Sequence, residues 1–339
     1  MASTAVEKDN LFIPLIDFSQ FLHGDSTSKN KAASQILDGF QHAGFIYLKN
    51  HGISSSSVSA QFAQSAAFFS RPQSEKDALE WYSARANRGY TAHGREKVTQ
   101  LADKEDVEAL RLAAPDLKES LEIGRDDEED CPNMWPSVED EAGRVFKEKS
   151  LAFFEECKGL HMQVMRAIAV GLGIEEGWFD KYTDRGDNTL RLLHYPPVRK
   201  EVFQKNKLQV RAGEHTDYGS ITLLFQDSRG GLQVQSPNGT FVDATPIPDT
   251  IVINAGDLLT RWSNDNIKST KHRVVEPPPK PNQATGEEHP ARYSIAYFCN
   301  PNFDKQIDVI PSTCREGEKP KYEGVNSGDY LVKRLTATY

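Results

Sequence analysis

The stretch Ala212-Gly213-Glu214-His215-Thr216-Asp217-Tyr218-Gly219-Ser220 decides how this chain is read. It places a His-x-Asp pair at the head of a strand-like run, Ile221-Thr222-Leu223-Leu224-Phe225. In an extended strand, side chains at i and i+2 share a face. His215 and Asp217 can therefore offer one imidazole nitrogen and one carboxylate oxygen to a single point. Two histidines and a carboxylate on one face of an octahedral ion leave positions open, which suits non-haem Fe(II) that must bind oxygen. The same donors can hold zinc for hydrolysis. Either way, a second histidine has to come from elsewhere in the chain.

Working outward, His272 in Lys271-His272-Arg273-Val274 is the best candidate, 55 residues after Asp217 in a segment that reads as a strand able to return beside the first. A lone strand histidine is more often structural, and its company is what raises it. Twenty residues on stands Arg292-Tyr293-Ser294. Arg292 and Ser294 share a strand face, so a guanidinium can grip a carboxylate through two parallel hydrogen bonds while a hydroxyl adds a third. Hydrogen bonds to a charged group contribute about 1.5–3 kcal/mol each. An iron with open positions and a carboxylate anchor nearby calls for a dicarboxylic co-substrate. 2-Oxoglutarate fits: its keto-acid end chelates iron, its far carboxylate reaches Arg292, and one position is left for O2. Zinc hydrolysis has no use for that anchor.

The rest of the chain reads as an α+β protein. Helices dominate the first half, one with Ala33, Ile36, Leu37 and Phe40 at helical spacing, one over 57–69, and the strongest over 139–172, where Phe146, Phe153, Cys157, Leu160, Val164 and Ile168 form one stripe. His161, inside that helix, is read as packed rather than ligating. Strands are expected over 11–18, 44–52 and 120–124, a tight turn at Arg88-Gly89-Tyr90, a short charged helix over 103–112, and a solvated acidic loop over 126–130. The irregular segment 84–136 is long enough to cover an active site. In the second half short strands follow one another over 190–195, 221–226, 231–235, 241–244, 250–254, 271–275 and 292–298. Gly and Pro turns separate them, which points to a sandwich or jelly roll. The segment 277–290 reads as a polar, Pro-rich, mobile insert. No linker divides the halves, so residues 1–339 are expected to act as one catalytic unit: helix-rich 1–185, core 186–305, C-terminal helical segment 306–339.

Composition narrows the function classes. Hydrophobic residues at 38% and charged residues at 26% describe an ordinary soluble chain rather than a disordered one. A formal charge of −9 argues against a nucleic-acid partner. No apolar run approaches membrane-spanning length, and no secretory or lipidation signal is evident, so a cytoplasmic location is expected. Cys131, Cys157, Cys299 and Cys314 form no C-x-x-C pair and are read as free thiols.

The ordered set His215-x-Asp217, His272 and Arg292-x-Ser294 resembles the Fe(II)/2-oxoglutarate-dependent dioxygenases of the isopenicillin N synthase-like family. The resemblance extends to Ile13-Pro14-Leu15-Ile16-Asp17, Gly44-Phe45-Ile46-Tyr47, Gly230-Gly231-Leu232-Gln233-Val234, Asn254-Ala255-Gly256-Asp257 and Arg261-Trp262-Ser263-Asn264. It implies a double-stranded β-helix (jelly-roll) core with flanking helices, Fe(II), 2-oxoglutarate and O2, with ascorbate as a further cofactor. It also implies that Tyr195 contacts 2-oxoglutarate. Many members carry asparagine two residues before that tyrosine, where this chain has Leu193.

Strand parity bears on the substrate. Phe298 should share the cavity-facing side of Arg292, and Arg191 that of Tyr195, while Tyr218 follows directly on Asp217. Two aromatics and an arginine suit a flat, polar, ring-shaped molecule. The bland alternatives are a core phenylalanine and an arginine paired with an acid. Within the family, the resemblance runs almost end to end with the fungal thymine dioxygenases, through Ala86-Asn87-Arg88-Gly89-Tyr90, Lys118-Glu119-Ser120 and Tyr322 to Gly328. It implies that Arg191, Tyr218 and Phe298 hold a free pyrimidine base whose methyl group is oxidised in steps. A dioxygenase of the same type acting on a fungal secondary metabolite or an alkaloid stays open, as does a non-enzymatic protein that binds 2-oxoglutarate.

Overall fold

The computed structural model describes residues 3–96, 109–110, 112–206, 208–277, 287–314 and 317–338. Its strands, in chain order, are β1 (Ser3–Lys8), β2 (Leu11–Asp17), β3 (Phe45–Lys49), β4 (Gly89–Thr91), β5 (Glu119–Ile123), β6 (Thr189–Tyr195), β7 (Val198–Arg199), β8 (Ala212–His215), β9 (Ile221–Gln226), β10 (Leu232–Gln235), β11 (Phe241–Asp243), β12 (Thr250–Ala255), β13 (His272–Val274), β14 (Glu288–His289), β15 (Arg292–Cys299), β16 (Gln306–Ile307) and β17 (Val325–Asn326). A nine-stranded sheet has the order β1-β2-β3-β12-β9-β15-β6-β5-β4, and a four-stranded sheet the order β11-β10-β13-β8. Only β2 and β3 pair in parallel within the large sheet.

Period-two alternation gives the large sheet two different apolar faces. Ile221, Leu223 and Phe225 of β9, Ile251 and Ile253 of β12, and Ile295 and Tyr297 of β15 join one core. Helices Ser26–His42 and Glu141–Gly171 close that core with Ile36, Phe40, Phe153, Phe154, Val164 and Ile168. The intervening residues Val252 and Ala296, with Leu193, Tyr195, Phe45 and Tyr47, pack instead with Ala212, Leu232, Val234, Val242 and Val274 from the small sheet. Burying one such Val, Leu or Phe side chain contributes about 1.5–3 kcal/mol.

The helix Glu141–Gly171 bears out its stripe, and its ends have local causes. The Asp140 carboxylate accepts from the Gly143 N–H at 2.5 Å, a cap of about 1 kcal/mol. Gly173, at φ 71°, lets the chain turn back so that Ile174 N–H reaches the Ala169 carbonyl and Gly173 N–H that of Val170. His161 is fully buried, with Nε2 3.4 Å from the Ser220 hydroxyl. Burial pushes its pKa down to about 3, so it is a packed, neutral imidazole.

Several expectations need correction. Gly89 and Tyr90 belong to β4 rather than to a tight turn, and Gly89 (φ 108°) packs against the carbonyls of Leu79 and Glu80, where a Cβ would clash. The acidic run 126–130 is not simply solvated: Glu128 pairs with Arg88, and Asp126 with Lys147, Asn133 and Trp135. The helix-rich first part also supplies β1 to β5. Of 306–339, only Ser327–Thr338 is a long helix; β16, a short 3-10 turn and β17 precede it. The charged helix expected over 103–112 falls almost wholly outside the described residues, as does 278–286 of the insert. Among the described residues no helix is long and apolar enough to cross a membrane.

Candidate active site

The His215–Asp217 pair is built differently from its sequence reading. His215 ends β8, and Asp217 lies in the connection to β9, so the two are not alternate residues at the head of one strand. Backbone hydrogen bonds aim the connection instead. Asp257 N–H donates to the Asp217 carbonyl at 2.8 Å, Gly256 N–H to that of Ser220 at 2.9 Å, and Ser220 N–H to that of Cys299 at 2.8 Å. A Cβ on Gly256 would sit 2.4 Å from the Gly219 carbonyl oxygen and 3.1 Å from that of Asp217. Only glycine permits this approach.

His272 stands directly opposite His215 in the β13–β8 register. The imidazole centroids are 4.3 Å apart, and the two Nε2 atoms lie 3.7 and 3.8 Å from Asp217 Oδ1. His215, Asp217 and His272 each present a ligand atom within 4.8 Å of the others. Nδ1 of His215 is 2.8 Å from the Gly213 carbonyl and Nδ1 of His272 is 3.2 Å from that of Thr270. A proton on each Nδ1 satisfies those carbonyls and leaves both Nε2 lone pairs for a metal. Asp217 Oδ2 accepts from Thr222 Oγ1 at 2.5 Å and Asn254 Nδ2 at 2.7 Å, which leaves Oδ1 facing the imidazoles. Thr222 and Asn254 are cross-strand neighbours in β9 and β12. Burial, and then the neighbouring His272, lower the His215 pKa and favour the neutral ligand form. For Asp217 burial works upward, but both imidazoles and the two hydrogen bonds outweigh it and the carboxylate stays ionised. Two imidazoles and one carboxylate on one side of a point are the donor set expected for Fe(II).

Strand parity holds on both neighbouring strands. Arg292, Ser294, Ala296 and Phe298 of β15, and Arg191, Leu193 and Tyr195 of β6, line one cavity with the triad. Arg292 is 1% exposed; its Nε donates to the Gly230 carbonyl at 3.0 Å and its Nη1 to Ser294 Oγ at 3.1 Å. Its guanidinium lies 4.7 Å from the Tyr195 ring centre. Leu193 gives this cavity an apolar wall.

A second cavity shares Arg191, His215, Asp217 and Phe298 with the first, and adds Tyr218, Asn87 and Glu96. Leu331 and Leu335 of the helix Ser327–Thr338 also line it. Arg191 is not a free guanidinium. Nε lies 2.6 Å from Glu122 and Nη1 3.2 Å from Glu96, while its Cζ is 5.3 Å from the Phe298 ring centre. Glu96 also pairs with Lys118. Burial pushes Glu96 upward, but Arg191 and Lys118 hold it down at about 2. Glu122, fully buried, is raised by that burial. Both readings of Arg191, facing the cavity and paired with acids, are therefore realised at once.

Sequence reasoning missed Thr222, Asn254, Glu96, Glu122 and Lys118. Parity could have found three of them. Thr222 interrupts the apolar run of β9 on the face opposite Ile221 and Leu223, and Asn254 is a lone amide in β12. Glu122 likewise alternates with Leu121 and Ile123 in β5. Glu96 carries no such signal.

Comparison with known proteins assigns the class. Residues 13–138 match the family described as non-haem dioxygenase in morphine synthesis N-terminal, and residues 186–301 match the 2OG-Fe(II) oxygenase superfamily. The 2-oxoglutarate-Fe(II) type oxidoreductase ppzD of Metarhizium rileyi is 35% identical over 333 residues, covering 96% of this chain and 90% of that one. The chain belongs to the 2-oxoglutarate-Fe(II) oxygenase superfamily and is a 2-oxoglutarate-dependent dioxygenase that uses Fe(II). The crystal structure of full-length Neurospora crassa thymine 7-hydroxylase with alpha-KG and thymine is 60% identical, at a TM-score of 0.92, over 99% of this chain and 100% of that one. The same protein with alpha-KG and 5-formyluracil matches at 56% identity and a TM-score of 0.89 over the full length of both.

Proposed function

We propose that this enzyme oxidises the methyl group of thymine to 5-hydroxymethyluracil, then to 5-formyluracil and 5-carboxyuracil. The observation that carries the proposal is the position of the triad where two cavities meet, one holding Arg292, Ser294 and Tyr195, the other walled by Tyr218, Phe298 and Arg191. The extensive likeness to a protein crystallised with thymine and with 5-formyluracil supports this choice of substrate.

In this reading His215, Asp217 and His272 hold Fe(II), and Arg292 with Ser294 takes the distal carboxylate of 2-oxoglutarate beside the Tyr195 ring. The bound iron supplies oxygen activation coupled to decarboxylation of 2-oxoglutarate to succinate. The protein's own part is placement and exclusion of water. Thr222 and Asn254 fix one oxygen of Asp217, so the other keeps its aim. Tyr218 and Phe298 present ring faces to a flat base. Glu96 and Glu122 hold the Arg191 guanidinium in one orientation at the cavity wall. Leu331 and Leu335 add apolar lining to the same cavity. The two sheets around this site form the double-stranded β-helix core, and the chain works as one catalytic unit. In support, the small sheet carries both histidines and the large one Arg292, Ser294 and Tyr195.

The test is succinate formation from 2-oxoglutarate with thymine, 5-hydroxymethyluracil and uracil in parallel. Thymine and 5-hydroxymethyluracil should stimulate turnover and leave their oxidised products, whereas uracil, with no methyl group, should leave none. Absence of thymine-dependent product would overturn the proposal and favour a dioxygenase of the same type acting on a fungal secondary metabolite or alkaloid.

A further inference from the structure

We propose that Arg211 is a second positive charge of the 2-oxoglutarate pocket, a positioning residue that acts from behind Tyr195 on the distal carboxylate held by Arg292. The inference rests on the reading of Arg292 as the anchor given above.

Arg211 is completely buried, immediately before β8, and its backbone N–H donates to the Val274 carbonyl at 2.8 Å. Its side chain makes one hydrogen bond, from Nη2 to the Pro290 carbonyl at 3.3 Å, while Nε and Nη1 have no acceptor among the described residues. No carboxylate lies within 4.0 Å of it among the described residues. Its guanidinium sits 5.9 Å from the centre of the Tyr195 ring, the ring on which Arg292 sits at 4.7 Å. Arg292, equally buried, also lacks a carboxylate partner among those residues.

Two guanidinium groups around one tyrosine, both out of water and neither paired with a carboxylate among the described residues, are costly on their own. A buried cation without a counter-charge loses most of its hydration and gains little in return. The charged side chains near Arg211 are Arg292 and Arg229, which disfavour its charge, and Asp227, which favours it. Asp227 is already engaged by the backbone N–H groups of Arg229 and Tyr293. An anion arriving at Arg292 would therefore be attracted by two charges, one through direct hydrogen bonds and one through the Tyr195 ring and the low-polarity interior. A purely structural role, holding the backbone at Pro290, uses only one of the guanidinium donors.

The two roles separate in a binding experiment that needs no turnover. Anaerobic Fe(II) protein is titrated with 2-oxoglutarate and, separately, with 2-oxopentanoate, and the metal-to-ligand charge-transfer band is read. 2-Oxopentanoate has the same chelating head but a methyl group in place of the distal carboxylate. In Arg211→Gln, which keeps a donor for Pro290 and removes the charge, the 2-oxoglutarate Kd should rise about tenfold and the 2-oxopentanoate Kd less than about twofold. Arg211→Lys should recover most of the lost affinity. Equal weakening of both ligands, or no change for either, would overturn the inference. If Arg211→Gln does not fold, Arg211→Met, which also removes the charge, is titrated in its place: selective weakening of 2-oxoglutarate supports the inference, and equal weakening of both ligands or no change contradicts it. A wild-type protein with no band on adding 2-oxoglutarate would instead refute the 2-oxoglutarate site itself.

Discussion

At the residue scale, the triad depends on side chains that never touch the ion. Asp217 could offer either oxygen to a metal, and Thr222 and Asn254 occupy Oδ2, so the geometry is decided by β9 and β12 beside the ligand. Outer hydrogen bonds of this kind typically carry 10–100-fold in metal affinity or activity. Asn254→Ala should therefore weaken Fe(II) binding by about tenfold while leaving 2-oxoglutarate affinity at saturating iron nearly unchanged. Arg292→Lys should do the converse, because a lysine keeps the charge but loses the bidentate fork. Separate titrations with iron and with 2-oxoglutarate check the pair. Loss of iron affinity in Arg292→Lys, with 2-oxoglutarate binding intact, would show that the two roles are assigned the wrong way round.

At the scale of elements, the edge of the large sheet is joined to its surroundings through one carboxylate. Glu119 of β5 takes Lys76 at 2.8 Å, the hydroxyl of Tyr90 in β4, and Nδ1 of His194 in β6 at 2.7 Å. Burial pushes its pKa up, but His194, Lys76 and Tyr90 outweigh that and hold it at about 2, against an ordinary 4.5. A depressed carboxyl pKa stabilises the fold above the unfolded value and loses that effect as pH falls through the folded one. Glu119 should therefore contribute up to about 3 kcal/mol at neutral pH, eroding as the pH drops from about 4.5 towards 2. Glu119→Gln should lower the denaturation midpoint at pH 7 and show a flatter decline across that acidic window. A wild-type and variant difference independent of pH would mean that Glu119 acts by packing alone. The same strand turns Glu122 the other way, into the network with Arg191.

For the whole molecule, what was legible in the sequence follows from what is local. Apolar alternation located β6, β9, β12 and β15 to within a residue or two, and parity placed Phe298 and Arg191 on the cavity side before any contact was known. The His-x-Asp pair was found for a partly mistaken reason. Asp217 shares a point with His215 because the Gly256–Leu258 backbone holds its loop, and not because of strand pleat. β8 itself, Ala212–His215, holds two small residues and two polar ones, a pattern that announces no strand. Glu96 and Lys118 reach the site from far along the chain, and Leu331 and Leu335 from its other end. Their placement is a property of the folded chain, with no periodicity to betray it.

The most direct test is to run the reaction with thymine under isotopically labelled O2 and to weigh both products. One labelled oxygen atom should appear in succinate and one in 5-hydroxymethyluracil, in equal yield before further oxidation sets in and only when Fe(II) and 2-oxoglutarate are both present. Thymine recovered unchanged while succinate takes up label, or a hydroxymethyl product without label, would contradict a site in which one iron links decarboxylation of 2-oxoglutarate to hydroxylation of the base.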